Sequence, residues 1–392
     1  MIPAVMPTYD RRDVAFERGE GAYLFATDGR RFLDFASGIA VTGLGHAHPH
    51  LVAALKGQAE KLWHVSNLFR IPEGEVLAKR LVDNSFADTV FFANSGAEAV
   101  EGGIKLVRKY HDETGNPHRF RIIGAHQAFH GRTLTTLAAA GNAKYLKGFE
   151  PEMPGFDHVP FGNLNVLRNA ITDETAAILV EPVQGEGGVR AGDVEYLRGL
   201  RAVCDEYGLL LFFDEVQCGM GRTGKLFAYE WAGIQPDVLA TAKALGGGFP
   251  VGAILASEKA AVGMKFGSHG STFGGNPLAM SVANAVLDVM LQPGFFEHVV
   301  EMGQSLHRRM NLLVQKHPRI LAEVRGKGLL AGLRCTVENG KVIDALFRQG
   351  MLVAGAADNV VRLLPPLIIE DKHVEEAAQK VEAACVELEK AA

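Results

Sequence analysis

The chain has 392 residues, 47% of them hydrophobic, and a formal net charge of −5. That length supports two domains, each with its own core, and a mildly acidic chain of mixed sign argues against nucleic-acid or anionic-membrane binding. The four cysteines, Cys204, Cys218, Cys335 and Cys385, are far apart with no CxxC pair, which argues against a disulfide framework or a zinc site and fits a reducing cytoplasm.

Residues 1–10 lack a basic region followed by an apolar run, so no secretory signal is expected. Segments 22–25 and 31–35 read as a hairpin around Asp28-Gly29. A helix is expected over 49–62, with Pro49 in its first turn. From residue 88 the pattern changes. Short apolar runs at 89–93, 121–124, 177–180, 209–213, 238–241 and 251–256 alternate with helical stretches such as 97–110 and 195–207. Continuous apolar runs between helices imply buried strands of a mostly parallel sheet. None approaches the roughly 20 residues that a membrane helix needs. Long helices are expected over 276–290 and 295–316. After them come a strand over 328–334, a helix over 341–349, strands near Leu352 and Val361, and a last helix from Asp371. The expected organisation is α/β: an N-terminal segment 1–50 packing with the small domain, a large domain 51–290, and a small C-terminal α/β domain 291–392.

Six segments gather residues able to do chemistry. Asp214 ends the apolar run 209–213, and ligands of open parallel sheets sit at the carboxyl ends of strands. A buried carboxylate there needs a cationic partner. A protonated pyridine nitrogen would serve, and so would a Mg²⁺ ion or a helix to cap. Lys243 follows the run 238–241 and precedes Gly246, Gly247 and Gly248. A Schiff-base lysine must be partly desolvated to act as a nucleophile, and glycines let the backbone turn tightly beside a ligand. Asn94-Ser95-Gly96-Ala97-Glu98 opens a helix whose free N–H groups suit a phosphate; Ser95 and Glu98 are equally spaced as a capping box. In the segment 128–133, Phe129 could stack on a flat ring and Arg132 grip a carboxylate. Segments 181–188 and 269–277 offer acids, hydroxyls and glycines at loop positions.

Two motifs mislead. Gly219-Met-Gly-Arg-Thr-Gly224 satisfies GxGxxG, but residues 214–218 separate it from its strand and no acid ends a following strand about 20 residues on, against a dinucleotide site and a dehydrogenase. His46, His48 and His50 alternate like metal ligands, but Pro49 interrupts them and no acid or cysteine is close in sequence, so no metal is assigned.

Together, Asp214-Glu-Val-Gln-Cys-Gly-Met-Gly-Arg-Thr-Gly, Ala242-Lys-Ala-Leu-Gly-Gly-Gly and the four other segments, in this order, resemble the class III aminotransferases, fold-type I enzymes that depend on pyridoxal 5'-phosphate (PLP). Gly43-Leu-Gly-His-Ala-His-Pro and Arg362-Leu-Leu-Pro-Pro-Leu are most similar to the members that interconvert N-acetylornithine and 2-oxoglutarate with N-acetylglutamate 5-semialdehyde and glutamate in arginine biosynthesis. Bacterial members of that branch often also accept N-succinyldiaminopimelate. The alternative within the family is a donor such as ornithine, succinylornithine or 4-aminobutyrate. The resemblance implies a cytoplasmic ping-pong enzyme working as a homodimer with shared active sites. It implies that Lys243 bonds the cofactor and shuttles the proton, and that Asp214 pairs with the pyridine nitrogen. Gln217 would contact the ring hydroxyl, Phe129 stack on the ring, and Ser95, Gly96 and Ala97 hold the phosphate. Thr272 would reach the phosphate of the neighbouring subunit, and Ser271 would lie beside the substrate. Arg132 would bind the carboxylate remote from the reacting amine. Glu186 would neutralise Arg362 when the donor is bound and release it to the α-carboxylate of 2-oxoglutarate. The chain departs from the family at Cys218, where threonine is common, and Val100, where asparagine is common; Cys218 is expected to make the site sensitive to thiol reagents.

Overall fold

The computed structural model describes residues 2–391; Met1 and Ala392, at the outer ends of the expected N- and C-terminal units, lie outside the described residues. Its centre is a seven-stranded sheet in the order Thr89–Ala93, Gly252–Ala256, Val238–Thr241, Leu210–Asp214, Thr175–Val180, Arg121–Ala125, Phe156–Val159. Every neighbouring pair is parallel except the two made by Gly252–Ala256, which runs antiparallel to both its neighbours.

Leu210–Asp214 shows why the runs are unbroken. Leu210 and Phe212 face Val100, Ile104 and Val107 of the helix Gly96–Glu113, while Leu211 and Phe213 face Leu197, Leu200 and Val203 of the helix Val194–Tyr207. Both faces are covered, so polar residues have no outward side to occupy. Phe212 and Phe213 are wholly buried, each contributing roughly 1.5–3 kcal/mol of transfer free energy. Gly103 is what lets the first helix come so close, because a Cβ there would lie 2.2 Å from Cζ of Phe212. The second helix starts where Asp193 accepts from the Tyr196 amide at 2.6 Å and stops at Gly208 in the left-handed conformation.

The C-terminal part forms a four-stranded antiparallel sheet in the order Leu321–Lys327, Leu330–Cys335, Val360–Leu363, Ala354–Ala356, flanked by helices Phe295–Lys316, Asn339–Arg348 and Asp371–Ala391. The strands expected near Leu352 and Val361 do not pair with each other. Val360–Leu363 pairs with Ala354–Ala356, whereas Met351–Leu352 joins the N-terminal strands Phe16–Glu20, Tyr23–Ala26 and Arg31–Asp34 through parallel pairing with the last of them. Tyr23 also donates to Glu376 of the last helix at 2.7 Å.

The elements without a sequence expectation include the edge strand Phe156–Val159, the helix Pro72–Asp83 and the strand Leu321–Lys327. Phe156–Val159 carries Asp157 and His158 in four residues and pairs on one side only; the bidentate Arg121–Asp157 ion pair, at 2.9 and 2.6 Å, holds it in place.

Candidate active site

All the parallel strands point their carboxyl ends at one edge of the sheet, and a cavity of about 420 Å³ opens there. Its lining follows from the topology. Asn94 to Ala97 come after Ala93, Glu181 after Val180, Val216 and Gln217 after Asp214, and Lys243 just after Thr241. Phe129 to Arg132 arrive from the loop beyond Ala125.

Asp214 is 3% exposed. His130 Nδ1 donates to its Oδ2 at 2.7 Å, and the Val216 amide donates to Oδ1 at 3.0 Å. Burial disfavours the imidazolium of His130, but the hydrogen bond and negative charge of Asp214 outweigh it and raise the pKa. Nε2 of His130 is buried and has no partner among the described residues. Glu181 is buried beside this pair and accepts from the Phe129 amide at 3.1 Å. Its carboxyl is held well above the usual carboxylate range by burial, against the pull of His130.

Lys243 sits across the cavity with φ of 46°, a strained conformation for a side-chain-bearing residue. Burial pushes its amine down to about 8; the carboxylate of Glu186 opposes this and Arg362 adds to it. The turn behind Lys243 needs its glycines: a Cβ on Gly246 would lie 1.9 Å from the carbonyl oxygen of Phe249, and Gly247 and Gly248 have φ of 56° and 124°. This fold-back brings Phe249, Pro250 and Val251 into the lining.

At the third wall the 18-residue helix Gly96–Glu113 begins. Ser95 Oγ accepts from the Glu98 amide at 3.2 Å, and Glu98 accepts from the Asn94 amide at 2.5 Å, so the cap and the cavity wall are the same residues. The amides of Gly96 and Ala97 precede the first helical bond, from Ala99 to Ser95, and border the cavity. A Cβ on Gly96 would lie 2.6 Å from Val216.

Glu186 lies outside this cavity, on the wall of a second one of about 610 Å³ that shares Phe129. It binds Arg362 bidentately, at 2.5 and 3.0 Å. Arg362 comes from the C-terminal sheet, is almost fully buried, and also donates to Gln217 Oε1 at 3.1 Å and to the Gly355 carbonyl at 2.8 Å. Arg132 is exposed at the mouth, over the rings of Tyr145 and Phe129.

Ser95, Gly96, Ala97, Phe129, Arg132, Asp214, Gln217 and Lys243 thus line one cavity, and Glu186 and Arg362 meet beside it. Ser271 and Thr272 are not in the lining. Ser271 Oγ accepts from the Gly274 amide and Asn94 Nδ2, and Thr272 faces solvent. Sequence reasoning gave no role to His130 or Glu181, since only the fold brings them to Asp214. Cys218 requires a correction. It is 1% exposed, and burial pushes its thiol well above the usual range, so the thiolate that reagents need is suppressed. Among the described residues no cluster of three side chains could hold a metal; His46 bonds Asp34 at 2.7 Å and His50 bonds Asp288 at 2.8 Å. The GxGxxG segment is a series of turns followed by a short 3-10 helix, Ala228–Ala232, and Arg222 within it is fully buried.

A family model described as aminotransferase class-III matches residues 5–385. The chain belongs to the class-III aminotransferases. This aminotransferase is 58% identical over 383 residues to acetylornithine aminotransferase 1 of Bradyrhizobium diazoefficiens, covering 98% of this chain and 95% of that one. It is likewise 58% identical to the acetylornithine aminotransferase of Brucella melitensis, over 96% of this chain and 94% of the relative. Among solved structures it is similar to N-acetylornithine aminotransferase from Stenotrophomonas maltophilia, with a TM-score of 0.86, 38% identity and 98% of both chains covered. It is also similar to ornithine aminotransferase from Toxoplasma gondii, with a TM-score of 0.95, 31% identity, and 99% and 94% covered. The enzyme is PLP-dependent, and the cavity fits that cofactor: a helix start for phosphate, a buried carboxylate for a ring cation, and a desolvated lysine opposite.

Proposed function

We propose that this aminotransferase moves the ω-amino group of N-acetylornithine to 2-oxoglutarate, yielding N-acetylglutamate 5-semialdehyde and glutamate. The observation that carries the reading is the placement of two guanidinium groups around the lysine cavity. Among the described residues Arg132 has no carboxylate partner and lies over the rings of Tyr145 and Phe129 at the mouth; Arg362 is buried and neutralised by Glu186. One permanent and one releasable carboxylate site suit a donor with one carboxylate and an acceptor with two. The names of the relatives at 58% identity agree.

In this reading Ser95, Gly96 and Ala97 hold the phosphate, Phe129 covers the ring, Asp214 faces the pyridine nitrogen and Gln217 the ring hydroxyl. PLP supplies the electron sink that makes the carbon bearing the reacting amine acidic. Lys243 Nζ takes that proton and returns it on the way to product. An amine held at about 8 has a useful neutral fraction near neutral pH, where an ordinary lysine has almost none. His130 holds Asp214 in place from behind.

The reading extends to assembly. Trp63, Leu68, Phe69 and Phe273 are all more than half exposed, and Asn67 ties their two loops together through the Ser271 and Gly274 carbonyls. A patch of this kind on a monomer marks an interface. We place a second copy there, so that Thr272 of the partner subunit reaches the phosphate. Residues 51–290 and 291–392 are proposed as the large and small domains, with 1–50 packed on the latter. No single helix among the described residues is long and apolar enough to cross a membrane, and four unpaired buried thiols suit a reducing cytoplasm.

The test is the visible absorption of the protein loaded with PLP, mixed with N-acetylornithine and no keto acid. Bleaching is expected, with colour restored by 2-oxoglutarate. Bleaching by ornithine or 4-aminobutyrate alone would overturn the donor.

A further inference from the structure

Arg132 differs from most of the other arginines around the site. Among the described residues it makes no ion pair, and the contacts that locate its guanidinium are aromatic. Its carbon Cζ lies 3.8 Å from the ring centroid of Tyr145 and 5.4 Å from that of Phe129. The two rings stand at 89° to each other, 6.4 Å apart. Phe129 lines the first cavity together with Arg132; Tyr145 lines the second cavity, on the far side of Phe129. Tyr145 is half-buried and is carried on the short helix Ala143–Leu146, which Asn142 caps by accepting from the Lys144 amide at 3.1 Å.

We infer that Tyr145 is a positioning residue for substrate carboxylates: its ring face holds the Arg132 guanidinium at the mouth, in the absence of any carboxylate of the protein. This rests on the reading of Arg132 given above. The physical case is one of competition. An acidic partner would place Arg132 equally well, but it would have to be displaced by each incoming substrate. A ring face attracts the cation through its quadrupole and leaves the N–H edge of the guanidinium free. Substrate then meets two parallel donors that are already aimed, so less side-chain freedom is lost on binding. The arrangement is the opposite of that at Arg362, whose donors are occupied by Glu186, Gln217 and Gly355. One guanidinium is permanently available and the other is available on demand.

The experiment compares two donors, N-acetylornithine and N-acetyl-1,4-diaminobutane, which lacks the carboxylate, in Arg132→Ala, Tyr145→Ala and Tyr145→Phe holoenzymes. The readout is the ratio of kcat/KM for the two donors. Arg132→Ala is expected to collapse the ratio; if it does not, the carboxylate role of Arg132 fails, and the inference with it. Tyr145→Ala is expected to shrink the ratio by roughly twofold to thirtyfold, the span of a cation–π contact from exposed to desolvated. Tyr145→Phe is expected to keep it, because the ring and not the hydroxyl faces Arg132. If Tyr145→Ala slows both donors equally, or neither, while Arg132→Ala collapses the ratio, Tyr145 has only a structural role and the inference is overturned.

Discussion

Substituting Glu186 by alanine tests the most specific part of the site. Glu186 accepts two hydrogen bonds from Arg362, at 2.5 and 3.0 Å, and is 28% exposed, while the Arg362 side chain is 3% exposed. For 2-oxoglutarate to reach Arg362 this pair must open. A charge-assisted bond contributes about 1.5–3 kcal/mol. Water can reach Glu186 when it swings out, so we take the cost of opening as that of one such bond rather than two, on the order of 1.5–3 kcal/mol. Glu186→Ala removes that cost for the acceptor. It also leaves the donor facing an Arg362 whose charge is no longer neutralised, although Gln217 and the Gly355 carbonyl still hold it in place. The ratio of acceptor to donor kcat/KM should therefore rise by roughly 10- to 150-fold. The two half-reactions separate the effects: single-turnover absorbance with N-acetylornithine alone, then with 2-oxoglutarate added to the aminated enzyme. An unchanged ratio would refute the switch, whatever happened to the overall rate.

Three further outcomes are expected. The neutral amine of Lys243 is the reactive form and its pKa is lowered to about 8, so cofactor capture by the apoprotein should slow about tenfold per unit as pH falls below that value and level off above it. A rate that does not change with pH on the acid side would contradict this. Gly103→Ala should destabilise the fold by about 1–3 kcal/mol or more, because the new methyl would lie 2.2 Å from Phe212. Thermal melts should show part of that loss restored in the Gly103→Ala/Phe212→Leu double variant. The four free cysteines are all buried, and burial raises the pKa of each thiol, so a disulfide reagent should titrate none of them rapidly in the folded protein and all four after denaturation.

The sequence by itself determined the parallel sheet and the identity of its chemical groups. Runs such as Leu210–Asp214 are apolar throughout because helices cover both faces, and an acid at the end of such a run has only the ligand edge to occupy. The same logic places Lys243 and Ser95 at strand ends. It failed for Phe156–Val159, whose Asp157 is kept in a strand by Arg121, a partner 36 residues away. A strand is expected near Leu352, but its partner is not: Met351–Leu352 pairs in parallel with Leu33 and Asp34, far away in the chain. In the site, tertiary structure decides which charges meet; the Glu186–Arg362 pair is expected only through the family resemblance, and the His130–Asp214 pair not at all. His130 and Asp214 are 84 residues apart, and Arg362, on a strand of the C-terminal sheet, is 176 residues from Glu186, which lies in a turn. Tertiary structure also decides that Cys218 is buried and that Arg132 rests on Tyr145. Periodicity and turn chemistry are local, so a sequence displays them directly. Burial, ion pairing and pKa depend on what the fold packs against each side chain, and no local pattern encodes that.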